Sequence, residues 1–222
     1  MKSLLLRFGL PLSLLFLFSV VALMLDADLE VARLVYQKNG PWPGVGTFPW
    51  NFLYNSVALP AFILAGTGAA IFALSFFVET LGKYRSRSAF LFLLLILGPG
   101  LIVNVLLKEH LGRARPKEIV EFRGGHQYTE MWQKGDAGDN SSFPSGHASA
   151  AFYLVAPWFL LRKKNRKFAT GCLIFGLTYG GLVGTARIMQ GGHFLSDVVW
   201  AGGLVYLSGE LLSSLLKLDN FQ

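Results

Sequence analysis

The chain has 222 residues, of which 53% are hydrophobic and 15% are charged, and its 20 basic and 13 acidic residues give a net charge of +7. A soluble domain carries about 25% charged residues, and a disordered chain cannot keep this much apolar surface in water, so the composition excludes both classes and indicates an integral membrane protein. The single cysteine, Cys172, excludes an internal disulfide and a cysteine-ligated zinc site.

Six apolar runs approach the roughly 20 residues that a helix needs to cross a bilayer. They cover residues 8–25, 57–78, 89–107, 143–161, 168–186 and 198–216. The fourth run is the weakest, because only its residues 148–161 are uninterrupted apolar sequence. The first run follows Lys2 and Arg7 as in a signal peptide, but no small-residue cleavage site follows it cleanly, so we expect a retained helix. The sequence therefore predicts an all-α, polytopic membrane protein, a six-transmembrane-helix bundle that forms one domain over residues 1–222.

Basic residues are concentrated on one side of the predicted bundle. If the N-terminus is cytoplasmic, more than half of the 20 lie in the cytoplasmic termini and short loops: Lys2, Arg7, Lys83, Arg85, Arg87, Arg162, Lys163, Lys164, Arg166, Lys167 and Lys217. This distribution satisfies the positive-inside rule. It predicts cytoplasmic N- and C-termini and outward loops at residues 26–56, 108–142 and 187–197. The net charge then reflects topology, so we expect no nucleic-acid partner.

Small and aromatic residues indicate how the helices pack and where they meet the membrane surface. Gly176, Gly180 and Gly184 recur every four residues in the fifth run, which predicts close helix packing. Trp42 and Tyr54 lie among prolines in the first outward loop, as in an interfacial segment with an aromatic belt. We interpret these aromatic residues as anchors, and the alternative is that they shape an entrance for lipid.

Four polar clusters lie at the outward ends of the predicted helices. They are residues 108–116 (KEHLGRARP), residues 141–149 (SSFPSGHAS), Arg187, and the pair of His193 and Asp197. Charged groups at membrane level are unfavourable and usually mark function. Because these clusters come from four different helices, the sequence predicts a site that is assembled by the bundle.

The cationic residues of these clusters suit a phosphate dianion. Arg115 and Arg187 can each present a planar fork of donors to phosphate oxygens, and Lys108 adds a point charge. Together they oppose the charge that grows in a phosphoryl-transfer transition state. Ser145 is placed as the N-cap of a helix, so the NH groups of Gly146 and the next residue would point at an anion.

The histidines and one carboxylate suit covalent catalysis. His193 and Asp197 are four residues apart and share one helical face. Asp197 can hold one ring nitrogen and leave the other free as a nucleophile. His147, from a separate helix, is available to protonate the leaving oxygen.

The sequence resembles the type 2 phosphatidic acid phosphatase superfamily, which includes the haloperoxidase fold, over about residues 89–216. The three-part signature of that family is matched by Lys108-x6-Arg115-Pro116, Pro144-Ser145-Gly146-His147 and Arg187-x5-His193-x3-Asp197. The resemblance implies hydrolysis of a phosphate monoester through a phosphohistidine, without a metal or another cofactor. It implies that His193 is the nucleophile, Asp197 its orienting partner and His147 the general acid. The implied phosphate-binding residues are Lys108, Arg115, Ser145, Gly146 and Arg187. Ala186 stands where the family usually has serine, and we expect the loss of that hydroxyl to have a modest effect.

A metal site is the alternative for the same cluster. Four histidines and several carboxylates could bind zinc, but the three neighbouring cations would repel a divalent ion. Magnesium prefers clustered carboxylates, and Asp197 is the only carboxylate in the predicted set. We therefore expect no catalytic metal.

The predicted site faces the outer leaflet, so we expect its substrate to be a membrane lipid with a phosphate headgroup. Residues 98–104, 108–113 and 189–197 are similar to the bacterial branch of the superfamily that removes phosphate from lipid A. The alternative substrates are phosphatidylglycerophosphate or phosphatidic acid, and undecaprenyl pyrophosphate. A small membrane transporter is the alternative of another class, and it would place ionisable residues at several depths. The expected location is the inner (cytoplasmic) membrane of a bacterium, with the active site on the periplasmic face.

Overall fold

The computed structural model describes residues 2–38, 40–138 and 141–218, with side chains from residue 6 onward. The α-helices are α1 (Lys2–Met24), α2 (Ala27–Val35), α3 (Trp50–Ser56), α4 (Ala58–Leu74), α5 (Arg85–Leu95), α6 (Lys108–Leu111), α7 (Gly146–Phe152), α8 (Ala156–Leu161), α9 (Arg166–Met189) and α10 (Leu195–Leu215). A π-helix spans Ile96–Leu107, and 3-10 helices span Glu79–Tyr84, Pro116–Glu118, Val120–Phe122 and Tyr153–Val155. One isolated β-bridge joins Ile119 and His126. The predicted all-α fold is confirmed.

Five helical stretches are long and apolar enough to cross a membrane. They are Leu6–Met24, Trp50–Leu74, Glu79–Glu118, Arg166–Met189 and Leu195–Leu215, and they overlap the first, second, third, fifth and sixth predicted runs. The fourth run forms only a shorter apolar stretch, Gly146–Leu161, because residues 141–145 are not helical. The chain is therefore a multi-pass helical membrane protein, and a sixth crossing stays a prediction.

The short fourth stretch is packed within the bundle. Its first helix, α7, contacts both α9 and α10, and Tyr153 and Phe159 are buried in the main hydrophobic core. The Tyr153 hydroxyl donates a 2.9 Å hydrogen bond to the carbonyl oxygen of Leu91 on α5. Protein contacts on several sides therefore fix the stretch that carries part of the predicted site.

The predicted close packing of the α9 glycines is confirmed. A Cβ atom on Gly176 would lie 2.6 Å from the backbone nitrogen of Val155, and one on Gly184 would lie 2.2 Å from a methyl group of Val198 on α10. A Cβ atom on Gly180 would lie 2.2 Å from an aromatic ring of α7. Carbon atoms attract one another at about 3.5–4.0 Å, so none of these positions has room for a side chain. α9 can therefore lie directly against both neighbours.

A π-helix leads into the predicted site. The segment Ile96–Leu107 contains Pro99, which lacks the NH group that an α-helix would use at that position. Proline and π-type turns are recognised causes of a changed helical path. The side-chain amide of Asn104 donates a 2.7 Å hydrogen bond to the carbonyl oxygen of Pro99. Because the π-helix ends where α6 begins, its geometry sets the direction of Lys108.

Candidate active site

The structure brings the predicted charged residues to one end of the bundle. Lys108 begins α6, Arg115 directly precedes a 3-10 helix, Arg187 lies in the last turn of α9, and Asp197 lies in the first turn of α10. Lys108 interacts electrostatically with the other three. Separate helices thus supply one cluster of three cations and a carboxylate.

His193 lies just before α10 and is held by a backbone carbonyl group. Its side chain is 1% exposed. Nδ1 lies 2.7 Å from the carbonyl oxygen of Ser142 and 3.4 Å from Oδ2 of Asp197, so the carbonyl oxygen is the closer partner. A carbonyl oxygen can only accept a hydrogen bond, so Nδ1 carries the proton and Nε2 keeps its lone pair. Ser142 was not among the predicted site residues, because the role of a backbone carbonyl group leaves no signature in the sequence.

Asp197 organises the surroundings of His193 through several donors. Its Oδ2 accepts hydrogen bonds from the backbone NH of Phe194, at 2.7 Å, and from the hydroxyl of Ser142. The first of these bonds caps the N-terminus of α10, and the second fixes the loop whose carbonyl oxygen holds His193. Asp197 therefore acts on the imidazole both directly and through Ser142.

Arg113 is a second residue near the site whose role was not predicted from the sequence. Its side chain is 1% exposed and forms ion pairs with Asp197, at 2.6 Å, and with Asp28 on α2, at 2.8 Å. It also donates hydrogen bonds to the carbonyl oxygen of Thr129 and the hydroxyl of Ser196, both at 2.9 Å. The backbone NH and the hydroxyl of Ser196 in turn donate to Asp28. One buried arginine thus joins α2 to the carboxylate beside the predicted nucleophile.

Burial controls the protonation of His193. Loss of hydration lowers the pKa of His193 to about 4, and the positive charges of Arg187 and Lys108 act in the same direction, whereas Asp197 opposes the shift. The imidazole is therefore neutral near pH 7. A neutral imidazole with a free Nε2 is the form that can act as a nucleophile.

The N-terminus of α7 carries the predicted cap. The hydroxyl oxygen of Ser145 accepts a hydrogen bond from the backbone NH of Ala148, at 3.3 Å. The NH of Ser145 donates to the carbonyl oxygen of Asp197, at 3.0 Å, and ties this end of α7 to α10. A Cβ atom on Gly146 would lie 2.6 Å from the side-chain oxygen of Asn104, so glycine permits the approach of the π-helix.

His147 follows on the first turn of α7, beside the cations. It interacts electrostatically with Arg187, Lys108 and Arg115. Its ring stacks on the ring of Tyr54, with the centroids 4.4 Å apart and the planes 22° apart. The two predicted catalytic histidines therefore lie on different elements around the same cations.

Arg187 keeps part of its guanidinium available. One terminal nitrogen donates a 2.6 Å hydrogen bond to the side-chain oxygen of Gln190. Within the part of the chain that the structure describes, the buried Nε has no hydrogen-bond partner. A Cβ atom on Gly192 would lie 2.4 Å from the other terminal nitrogen, so only glycine leaves the guanidinium in place. A buried donor without a protein acceptor suits an anionic ligand.

A cavity of about 280 Å³ connects the cluster with the apolar side of α4. Lys108, Gly146 and His147 contribute polar groups to its lining, and Ala61 and Phe62 contribute apolar ones. A ligand in this cavity would place a charged group at Lys108 and an apolar group along α4. This shape matches an amphipathic ligand.

The described residues offer a poor set of metal donors. Among residues 2–38, 40–138 and 141–218, no group of three or more His, Cys, Asp or Glu side chains is arranged to hold a metal ion. Two potential donors of the candidate site, His147 and His193, interact electrostatically with Lys108 and Arg187. The same positive charges would repel a metal cation.

The chain is similar in sequence to several bacterial phosphatases. A lipid A 4'-phosphatase of Francisella tularensis subsp. novicida is 38% identical over 135 residues, and the match covers 60% of each chain. A lipid A 4'-phosphatase of Rhizobium leguminosarum is 36% identical over 120 residues, and the match covers 53% of this chain and 50% of the relative. These matches therefore span 50–60% of the length of the two relatives. A phosphatidylglycerophosphatase B of Bacillus subtilis is 28% identical over an alignment of 221 positions that covers 93% of both chains.

No solved structure matches the chain significantly. The sequence pattern of the PAP2 superfamily matches residues 88–216, which are more than half of the chain and include all eight predicted site residues. The chain belongs to the PAP2 superfamily.

Proposed function

We propose that this protein is a metal-independent lipid phosphatase that hydrolyses a phosphate monoester of a membrane lipid, and that the lipid is lipid A. The observation that carries the proposal is the state of His193. Its buried imidazole is neutral, its Nδ1 is fixed by the Ser142 carbonyl oxygen, and it lies among cations that can hold a phosphate group.

In the proposed first step, Nε2 of His193 attacks the phosphorus atom. The bond between phosphorus and the lipid oxygen breaks, and His147 donates a proton to that oxygen. The product is a phosphohistidine, and Asp197 balances the positive charge that develops on the imidazole. Water then attacks phosphorus, His147 takes a proton from the water, and the bond to Nε2 breaks to release inorganic phosphate.

Five residues would hold the phosphate group during these steps. Arg115, Arg187 and Lys108 supply positive charge, which is worth most in a buried site when charge grows in the transition state. Ser145 and Gly146 form the capped start of α7, where backbone NH groups meet an anion. The Nε of Arg187, which has no hydrogen-bond partner among the described residues, supports its part in this set.

Two observations support a lipid substrate and lipid A in particular. The cavity at the cluster has both a cationic and an apolar lining, as an amphipathic lipid requires. The names of the Francisella and Rhizobium relatives give lipid A as their substrate.

Phosphatidylglycerophosphate is the second candidate, because one observation favours it. The Bacillus relative is named for that activity, and its match extends over 93% of both chains. The lipid A 4'-phosphatases share more identity with this chain but over a smaller part of it.

The proposed location is the inner membrane of a bacterium, with cytoplasmic termini and a periplasmic site. The basic residues at one end of the predicted bundle support this orientation, and so do the bacterial relatives. A single cysteine placed at Lys83 or at Arg123 in a Cys172→Ser background would test it with a membrane-impermeant maleimide on intact cells. The orientation predicts labelling at position 123 alone, and labelling at position 83 alone would reverse it.

The decisive experiment is phosphate release by the detergent-purified protein in excess EDTA. The substrates are lipid A, phosphatidylglycerophosphate, phosphatidic acid and undecaprenyl pyrophosphate. We expect lipid A to be cleaved fastest, without any added metal. A strong preference for phosphatidylglycerophosphate would establish the second candidate, and activity that only a divalent ion restores would refute the metal-free mechanism.

Histidine variants test the proposed roles in the same assay. We expect His193→Ala and His147→Ala to abolish turnover, and His126→Ala to retain it. His126 is a suitable control because its side chain is 40% exposed and is paired with Asp136 outside the cluster. Full activity of either of the first two variants would contradict the mechanism.

A further inference from the structure

Tyr54 is an aromatic residue on α3, and it lies outside residues 88–216, the segment that matches the family. Its place among prolines in the first outward loop predicts that it is part of an interfacial anchor. In the structure its ring instead contacts two residues of the candidate site. The ring stacks on the imidazole of His147, with the centroids 4.4 Å apart, and the guanidinium carbon of Arg187 lies 4.8 Å from its centroid.

The charges around His147 explain why such a contact matters. A general acid must carry a proton before it can donate one. Burial is the largest effect that disfavours a positive charge on His147, and the charges of Arg187, Lys108 and Arg115 disfavour it further. The face of an aromatic ring carries partial negative charge and attracts cations. The ring of Tyr54 therefore favours the protonated imidazole at a site where the other neighbours disfavour it.

The same ring also restricts movement of both partners. A stacked aromatic ring fixes the plane of an imidazole, and a guanidinium over a ring face loses much of its freedom. Tyr54 also lines the cavity that contains Lys108 and Gly146. Its position therefore ties the plane of His147 and the direction of Arg187 to α3.

We propose that Tyr54 is a positioning residue of the active site, which holds His147 and Arg187 through its ring face so that one can protonate the leaving oxygen and the other can bind phosphate. This inference rests on the proposed function. It assigns a part of the site to a segment that carries none of the three motifs, and it requires the ring of Tyr54 but not its hydroxyl group.

The test compares Tyr54→Leu, which removes the ring, with Tyr54→Phe, which keeps it. Phe52→Leu is the matched control, because Phe52 is an exposed ring two residues away on the same helix and is equally suited to anchoring. The kcat and KM of each variant are measured from pH 5 to 9 with a lipid phosphate and with a nitrophenyl phosphate ester, whose leaving group needs no proton.

We expect kcat of Tyr54→Leu on the lipid phosphate to fall by at least about tenfold, because general acid catalysis contributes about 10²–10⁴-fold to rate. The fall should be largest at high pH, and the nitrophenyl ester should restore most of the rate. We expect KM to rise because Arg187 is released. The kcat and KM of Tyr54→Phe and Phe52→Leu should stay within about twofold of the wild type. Equal losses of kcat in Tyr54→Leu and Phe52→Leu would overturn the inference in favour of an anchoring role.

A measurement without turnover separates this inference from the proposed function. The protein is labelled with ¹⁵N-histidine, and the His147 signals are assigned as those lost in His147→Ala. We expect the titration midpoint of His147 to fall in Tyr54→Leu and to stay unchanged in Tyr54→Phe. An unchanged midpoint in Tyr54→Leu would refute the inference, whereas a wild-type protein that releases no phosphate would refute the proposed function.

Discussion

Arg113→Met is expected to be strongly destabilising, because it leaves two buried carboxylates without their shared counter-ion. The side chains of Arg113, Asp28 and Asp197 are each no more than 2% exposed, and the two ion pairs measure 2.8 and 2.6 Å. Removing one partner of a buried ion pair destabilises a protein by about 3–5 kcal/mol. For a chain of this size, that free energy corresponds to a fall of roughly 6–20 °C in Tm. The Tm is measured by heating the purified protein and recording its tryptophan fluorescence.

Arg33→Met is the matched control. Arg33 pairs with Glu30 on the same helix as Asp28, but the two side chains are 53% and 56% exposed, and such pairs contribute about 0–1 kcal/mol. We expect its Tm to stay within about 4 °C of the wild type. Adding Asp28→Asn to Arg113→Met should raise the Tm, because one stranded charge is removed. The reasoning is refuted if Arg113→Met and Arg33→Met have the same Tm, or if the added Asp28→Asn lowers the Tm further.

Two further predictions concern packing and pH. Gly176→Ala should destabilise the protein by about 1–3 kcal/mol, because its Cβ would meet the backbone of Val155. The control is Gly171→Ala on the same helix, which should be neutral or slightly stabilising because its Cβ would meet open space. Equal Tm values for the two variants would contradict the packing argument. The pKa of His193 is about 4 in the folded protein and about 6.5 when unfolded, so the unfolded chain binds the proton first and stability should fall as the pH drops from 6.5 to 4. Chemical unfolding at several pH values measures this slope, and His193→Gln should make it shallower; an unchanged slope would show that His193 is not the group responsible.

The sequence predicted those parts of the site whose chemistry is carried by side chains in a fixed motif. His193, Asp197 and Arg187 could be predicted as site residues because their residue types and spacing limit the chemistry they can perform, and the structure brings the three together. Ser142 could not, because it acts through its carbonyl oxygen as well as its hydroxyl. Arg113 lies two residues from Arg115 and has the same charge, so only the folded structure shows that it is buried between two carboxylates.

The fold was predictable to a similar extent. Apolar length identified the five long stretches, and the spacing from Gly176 to Gly184 identified the packed face of α9. The length of the helix in the fourth run was harder to predict, because a short helix that is buried among other helices is as apolar as a longer helix that faces lipid. The π-helix over Ile96–Leu107 was not predicted, since its apolar sequence is equally suited to an α-helix.

The contacts of Asp28 have a consequence for the biogenesis of the protein. Its carboxylate is bonded to Arg113 and Ser196, which follow it by 85 and 168 residues along the chain. Chains fold from the N-terminus during synthesis, so Asp28 reaches the membrane surface long before either partner has been made. The contacts around His193 are complete only after α10, the last helix of the described residues, has been inserted. On the proposed mechanism, a chain in which α10 has not yet been inserted is therefore inert toward the lipids around it, and hydrolysis begins only after α10 is in place.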